Sequence, residues 1–224
     1  MTDVRDLKDG RSLEIRPATV RDVELLAQAH PLPRDARIPA GPCRAYYGAK
    51  FWLYVNTPGA SVVTGWVDGQ VAGFVFLCAD MRGLRHTARS YGMVLWAARQ
   101  VLLGRFGCNP LLWLRYAEWV MQHFRSPSGY SDVEPQDAEQ DLQHIDAWIG
   151  TVHTVDEFRR MGVADALLSA AETLLRMQGI SEVALWAATD NEPALSLYDK
   201  RGYSRAARVS RIGEDCWLMV KQLS

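Results

Sequence analysis

Apolar and polar positions change period several times along the chain, and each change marks an element. Leu13–Arg16 alternates as a half-buried strand does, and Pro17 and Thr19 follow it. Thr19 is placed to cap a helix whose apolar stripe runs through Val20, Val23, Leu25, Leu26 and Ala29. Pro31, Pro33 and Pro39 end that helix in a loop. The aromatic run Tyr46–Tyr54 fits a strand or a helix. Ser61–Val67 and Val71–Cys78 are β-branched and aromatic runs separated by Asp68-Gly69, which predicts a hairpin. Residues 1–11 are polar and read as a tail.

From Met81 the period turns helical, through Tyr91, Val94, Leu95, Ala98, Val101 and Leu102, and again over 111–120. Gly104, Gly107 and Pro110 divide this stretch into at least two helices. An α/β pattern resumes at Ala147. It predicts a strand over Trp148–Val155, a helix over Gly162–Gln178, a strand over Val183–Ala188 and a short helix over Pro193–Lys200. A closing hairpin follows, Gly202–Arg211 with Cys216–Leu223 around Ile212–Asp215. No internal repeat or low-complexity segment interrupts the order.

A chain of 224 residues suits one domain, and we read 1–224 as a single domain with a helical insertion and acidic loop over 81–140. Hydrophobic residues make up 48% and charged residues 23%, an ordinary soluble balance. The net charge of −1 argues against nucleic acid as a partner. No run approaches the roughly 18 apolar residues of a membrane span, and the charged N-terminus is no signal peptide. Cys43, Cys78, Cys108 and Cys216 are scattered without a CxxC pair or clustered histidines, so no metal site is expected. Isolated thiols without a secretory leader point to the cytoplasm. Charge is uneven locally. Residues 81–125 hold seven Arg against one Glu, and 132–146 hold six acids and no Lys or Arg. The two segments can pair with each other, the basic one can attract an anion, or the acidic one can recruit a cationic amine.

Two motifs carry candidate chemistry. In Thr151–Leu168, a strand runs into a turn, and Arg159-Arg160-Met161-Gly162-Val163-Ala164 opens a helix. The first amides of a helix have no internal acceptor and the dipole there favours an anion, so a phosphate can sit on them. Gly162 and Ala164 let the backbone approach it closely, and two arginines at a positive helix end suggest an anionic ligand. The second motif is Asn191–Tyr203, NEPALSLYDKRGY. Asp190 or Asn191 can cap a helix with Pro193 in its first turn, Tyr198 lies on that helix, and Gly202 ends it. Read singly, either is an ordinary helix start or a packed tyrosine.

In order, strand, RxxGxA turn, helix, strand and NxxAxxLYxxxGY, the two motifs resemble the GNAT acetyltransferase family. Arg159, Gly162 and Ala164 match its acetyl-CoA turn, with Ala in place of the commoner second Gly. Asn191, Ala194, Leu197, Tyr198, Gly202 and Tyr203 match the helix that follows. The resemblance is strong over 147–223 and extends plausibly to 13–78, and residues 81–140 show none. It implies an α/β (α+β) fold with a mixed, mostly antiparallel twisted sheet flanked by helices, and acetyl-CoA as co-substrate. The pantetheine arm would pair with the strand at Val152, His153 and Thr154. The pyrophosphate would rest on the amides of Arg160, Met161, Gly162, Val163 and Ala164, with Arg159 and Asp165 beside it. Asn191 would help hold the cofactor, and Tyr198 would protonate the departing thiolate. The substrate amine would attack directly.

Relatives often carry a Glu or His nine or eleven residues before the arginine, where this chain has Gly150 and Trp148. Asp146, of the same strand parity, is the preferred proton acceptor, acting through water. His153 lies on the opposite parity unless a bulge intervenes, and is kept as a base or cofactor neighbour. Trp96, Trp113 and Trp119 of the insertion could wall the acceptor side. The leading expectation is therefore acetylation of a primary amine on a small molecule. The alternatives are a peptide or protein acetyltransferase, a non-catalytic acyl-CoA-binding module, and an unrelated domain whose turn binds another nucleotide. A homodimer is compatible with the resemblance.

Overall fold

The computed structural model describes residues 2–31, 40–92, 145–211 and 214–223. Most of the expected helical insertion, with Trp96, Trp113, Trp119 and the acidic loop up to residue 144, lies outside them. Eight strands form one sheet in the order β1-β2-β3-β4-β5-β6-β8-β7. They are β1 (Asp3–Asp6), β2 (Ser12–Pro17), β3 (Ala60–Val67), β4 (Gln70–Cys78), β5 (Trp148–Thr154), β6 (Glu182–Ala188), β7 (Ser204–Arg211) and β8 (Glu214–Gln222). Every pairing is antiparallel except β5 with β6. Five α-helices are described: α1 (Val23–Ala29), α2 (Ala40–Asn56), α3 (Met81–Ser90), α4 (Val163–Met177) and α5 (Glu192–Lys200).

The sheet has a helix layer on each face because β4 is apolar on both sides, as an inner strand must be. Val75 and Leu77 join the core formed with Val163, Leu167, Leu168 and Leu175 of α4 and Leu195 and Tyr198 of α5. Phe74 and Phe76, at the alternate positions, join Leu26 of α1 and Phe51 of α2 on the other face. The aromatic run over 46–54 is therefore helical. Helix α3 packs Leu84 and Ala88 against Leu53 and Cys78.

Asp68 and Gly69 form the two-residue turn between β3 and β4, with φ of 51° and 76°, as a hairpin of this length requires. Thr19 enters the first helical segment as expected. The buried Asp22 carboxylate accepts from the Thr19 N–H and hydroxyl, both at 2.7 Å, and from two nitrogens of Arg16 at 2.8 and 2.9 Å. That guanidinium, with the Thr19 bonds, holds Asp22 well below the usual carboxylate range against its burial.

The N-terminus departs from the sequence reading. Asp3–Asp6 is not tail but an edge strand, paired antiparallel with β2. Its side chains are half-buried and exposed in alternation and mostly charged, which hides the strand from a hydrophobic pattern. The following turn buries Leu7 and places Arg11 over the Phe158 ring, 5.0 Å from its centroid, with its Nη2 3.5 Å from Met161 Sδ. These first residues thus brace the turn that precedes α4.

Candidate functional site

The only parallel pair in the described sheet is short. Strands β5 and β6 pair at Trp148↔Ala184 and Ile149↔Leu185 and then part. Ile149 pairs with Leu77 and Val152 with Val75, so three steps along β5 match two along β4. The extra residue is a bulge at Gly150–Thr151, opposite Phe76. Beyond it, β5 stays paired to β4 through Val152, His153 and Thr154, and its other edge has no strand partner among the described residues. An open strand edge beside a wedge-shaped gap offers backbone donors and acceptors to an extended ligand.

The bulge also settles side-chain direction. Ile149 and Val152 both pack toward α4 and α5, although an unbroken strand would put them on opposite faces. His153 turns to the α1/α2 face, with its ring 5.2 Å from that of Phe74 and 6.3 Å from that of His30. Trp148 shares that side of the sheet and stacks on Trp186 of β6 at 5.4 Å. The bulge thus puts His153 on the same face as Trp148, where strict alternation along β5 would separate them.

A glycine notch sets the position of α4. A Cβ on Gly73 would lie 2.5 Å from the His153 carbonyl oxygen and 3.1–3.2 Å from side-chain carbons of Leu167 and Val163. Gly65, its partner in β3, would meet Leu167 and Val163 at 3.6 and 3.7 Å. Two bare backbones side by side let the first turns of α4 sink onto the sheet next to the end of β5. The turn between them has Arg160 at φ 63° and Gly162 at φ 96°. Such a left-handed backbone is strained for Arg160 and natural for Gly162. The first i→i−4 bond of the helix runs from the Ala166 N–H to the Gly162 carbonyl at 3.0 Å. The amides of Val163, Ala164 and Asp165 precede it and point out of the helix end. Arg159, exposed, pairs with Asp156 at 2.6 Å.

Helix α5 follows β6. Asn191 caps it, its side-chain oxygen accepting from the Ala194 N–H at 3.3 Å, and Glu192-Pro193 forms the first turn. Tyr198 is buried in the same core cluster that Val152 packs against, with its ring 5.8 Å from Tyr203. Burial pushes its hydroxyl up to about 12. Beneath lies a charge cluster. Glu172, 1% exposed on α4, accepts from Arg201 Nε at 3.1 Å and Nη2 at 2.8 Å, Lys221 Nζ at 2.8 Å and the Tyr203 hydroxyl at 3.1 Å. Burial alone would raise its carboxyl, but the bonds from Arg201 and Lys221 hold it below the ordinary range. Arg201 also donates to the Asp165 carboxylate at 2.7 Å, so one guanidinium ties α5 to both the middle and the start of α4.

Val152 thus shares one face with Met161, Val163 and Tyr198, while the His153 side chain lies on the other face and Thr154 ends β5 opposite Gly73. Asp146 stands apart, before β5: its carbonyl accepts from the Met81 N–H at 3.1 Å and its carboxylate lies 3.3 Å from Arg82. Sequence reasoning missed His30, Lys50, Trp186 and Glu172. Only Lys50 left a trace, as the lone cation inside an aromatic run. Among the described residues no group of His, Cys, Asp or Glu is arranged to hold a metal, and no helix is long and apolar enough to cross a membrane.

The family model for the Acetyltransferase (GNAT) family matches residues 26–203. N-alpha-acetyltransferase 30 of Schizosaccharomyces pombe is 33% identical over 64 residues, which cover 29% of this chain and 43% of that protein. Among solved structures, the GNAT domain of PAT from S. lividans aligns with a TM-score of 0.56 at 14% identity, covering 99% of this chain and 96% of its own. The PaiA N-acetyltransferase of Thermoplasma acidophilum, in complex with coenzyme A, aligns with a TM-score of 0.53 at 14% identity over 94% and 98% of the two chains. The chain belongs to the GNAT acetyltransferase family.

Proposed function

We propose that the protein transfers the acetyl group of acetyl-CoA to the primary amine of a small molecule by direct attack. The observation that carries this reading is the gap between β5 and β6, open from the Gly150 bulge and leading to the helix end at Gly162–Asp165. Pyrophosphate would rest on the amides from Arg160 to Ala164, with Met161 held from behind by Arg11. Arg159 would exchange Asp156 for phosphate. Asp165 is a poor neighbour for phosphate unless neutralised, and Arg201 supplies that neutralisation. Pantetheine would pair with the free edge at Val152, His153 and Thr154, and an N–H at the bulge would polarise the thioester carbonyl. Asn191 supports this arrangement by capping α5, which carries Tyr198.

Tyr198 fits the role of donor to the leaving group, with one refinement. A hydroxyl at about 12 is a weaker acid than a thiol near 8.5, so it stabilises the developing thiolate by a hydrogen bond rather than surrendering its proton outright.

A second reading, acetylation of a peptide N-terminus, draws on the similarity to N-alpha-acetyltransferase 30. Thiol release from acetyl-CoA, screened over small amines, polyamines, amino sugars, aminoglycosides and N-terminal peptides, separates the two. Turnover with small amines and none with peptides supports the first reading. The reverse pattern supports the second, and no release with any acceptor leaves an acyl-CoA-binding module. Tyr198→Phe should bind acetyl-CoA as before and turn over at least tenfold more slowly.

A further inference from the structure

We propose that Lys50 is the proton acceptor for the attacking amine, so that the base of this enzyme stands on α2 and not on β5. The inference rests on the acetyl-transfer reading above. The Lys50 Nζ lies 4.4 Å from the centroid of the Phe76 ring. That ring is walled by Phe51 at 4.8 Å and Tyr54 at 4.7 Å. Phe76 is the residue of β4 that faces the β5 bulge, and Gly150 of the bulge is turned toward it. A Cβ on Gly150 would come within 3.1 Å of the Phe76 Cβ. The amine, the ring beneath it and the bare bulge therefore share one face of the sheet, at the point where β5 leaves β6.

Helices α2 and α3 and strands β3, β4 and β5 contain no Asp or Glu, and Glu24, the acid of α1, is exposed. Among the described residues, the acids nearest these elements are engaged elsewhere: Asp22, at the start of α1, is paired with Arg16, and Asp80, before α3, accepts from the Arg82 and Gly83 N–H groups. The titratable and charged groups of the surrounding elements include Arg44, Tyr47 and Tyr54 of α2, the Asp22–Arg16 pair and His30 at the two ends of α1, Arg82, Arg85 and His86 of α3, Cys78 of β4 and His153 of β5. Burial pushes His30 down to about 4, lowers His153 and raises Cys78 to about 12, so all three are uncharged near neutral pH. Burial likewise brings Lys50 down to about 8, while the residue as a whole is half-buried. The attraction of an aromatic face for an ammonium does not offset that desolvation. Much of the enzyme therefore holds Lys50 as a free amine near pH 8, the range in which a general base works best.

The step balances. The acceptor nitrogen forms its bond to the thioester carbonyl carbon, and the carbon–sulfur bond breaks. The nitrogen proton passes to Lys50 Nζ on the α1/α2 face. The thiolate departs toward the Tyr198 hydroxyl on the α4/α5 face, and exchange with solvent returns the Lys50 proton to the sulfur. The acceptor and the donor stand on opposite faces of the sheet, one on each side of the gap. Gly150 is part of the arrangement, because a carboxylate in its place would pair with Lys50 and keep it charged.

The test is the pH dependence of kcat, measured with the most responsive amine of the panel, for wild type, Lys50→Arg, Lys50→Met and Asp146→Asn. Wild type should gain activity with rising pH along a limb of apparent pKa near 8. Both Lys50 variants should lose about 100-fold or more in kcat, together with that limb. Their affinity for acetyl-CoA by calorimetry should stay within about twofold. Lys50→Arg keeps the positive charge and the contact with Phe76, so it decides the matter if Lys50→Met does not fold. Asp146→Asn should remain within about threefold of wild type. Lys50 variants that keep their kcat and the limb overturn the proposal while leaving acetyl transfer standing. Loss of the limb in Asp146→Asn alone assigns the base to Asp146 and also overturns it. A wild type that acetylates no amine overturns both.

Discussion

Replacing Glu172 by glutamine tests whether the cluster beneath Tyr198 holds α4, α5 and β8 together. The carboxylate is 1% exposed and receives hydrogen bonds from two cations, Arg201 and Lys221, whose side chains are only 15% and 18% exposed. Glutamine keeps the volume but presents an N–H₂ to at least one of them, and two half-sealed cations lose their counter-charge. A hydrogen bond to a charged group contributes about 1.5–3 kcal/mol, and removing one partner of a buried pair costs about 3–5 kcal/mol. Arg201 retains Asp165, which argues for the lower part of that range. In a domain of this size each kcal/mol moves the melting temperature by about 2–4 °C, so a fall of roughly 6–12 °C is expected at pH 7. The pH dependence has a fixed sign. The folded Glu172 carboxyl lies below its ordinary 4.5, so its contribution is complete above that value and is lost as pH falls through the folded value. Wild type and Glu172→Gln should therefore converge in acid. Melting followed by circular dichroism from pH 7 to 3 reads both effects. A loss below about 1 kcal/mol at pH 7, or a gap that widens in acid, refutes the reasoning.

Gly73→Ala should destabilise the fold by about 1–3 kcal/mol and weaken acetyl-CoA binding, because its Cβ meets the His153 carbonyl at 2.5 Å and must push β5. Thermal melting and calorimetry check this, and an unchanged affinity would disconnect the notch from the cleft. His30 is 8% exposed, and burial holds it at about 4, below its ordinary 6.5. The unfolded chain then binds the extra proton between those values, so stability falls as pH drops from 6.5 toward 4, by up to about 1.4 kcal/mol per unit. His30→Phe should flatten that segment of the urea-unfolding profile, and an unaltered slope would sink the assignment.

Much of this fold can be read from period and punctuation. Asp68-Gly69 fixes one hairpin, Gly162 and Gly202 bound the two helices of the last third, and the apolar alternation around them gives the strands. What escapes depends on contacts remote in sequence. Asp3–Asp6 becomes a strand because β2 offers it an edge, and its charges give no period to detect. The run over 46–54 is helical because Phe51 meets Phe74 and Phe76, and aromatics alone do not choose between strand and helix. The candidate cofactor turn was legible because its chemistry is local: backbone, glycine and arginine within six residues. The bulge at Gly150 was not, since it exists only as a mismatch between β5 and β4. It reverses the faces assigned by parity and draws attention from Asp146 to an amine a hundred residues earlier in the chain. Glu172 is equally silent in sequence, an acid on a helix whose partners come from the turn between α5 and β7 and from β8.

The measurement closest to the central claim is calorimetric titration of the protein with acetyl-CoA, and separately with ATP and NAD, before any acceptor is known. The open edge of β5 beyond the bulge and the amides at Gly162–Asp165 predict saturable one-to-one binding of acetyl-CoA. That binding should weaken when Gly162 is replaced by valine, and ATP and NAD should bind at least tenfold less tightly. Binding of ATP alone, or acetyl-CoA binding indifferent to Gly162→Val, would contradict it.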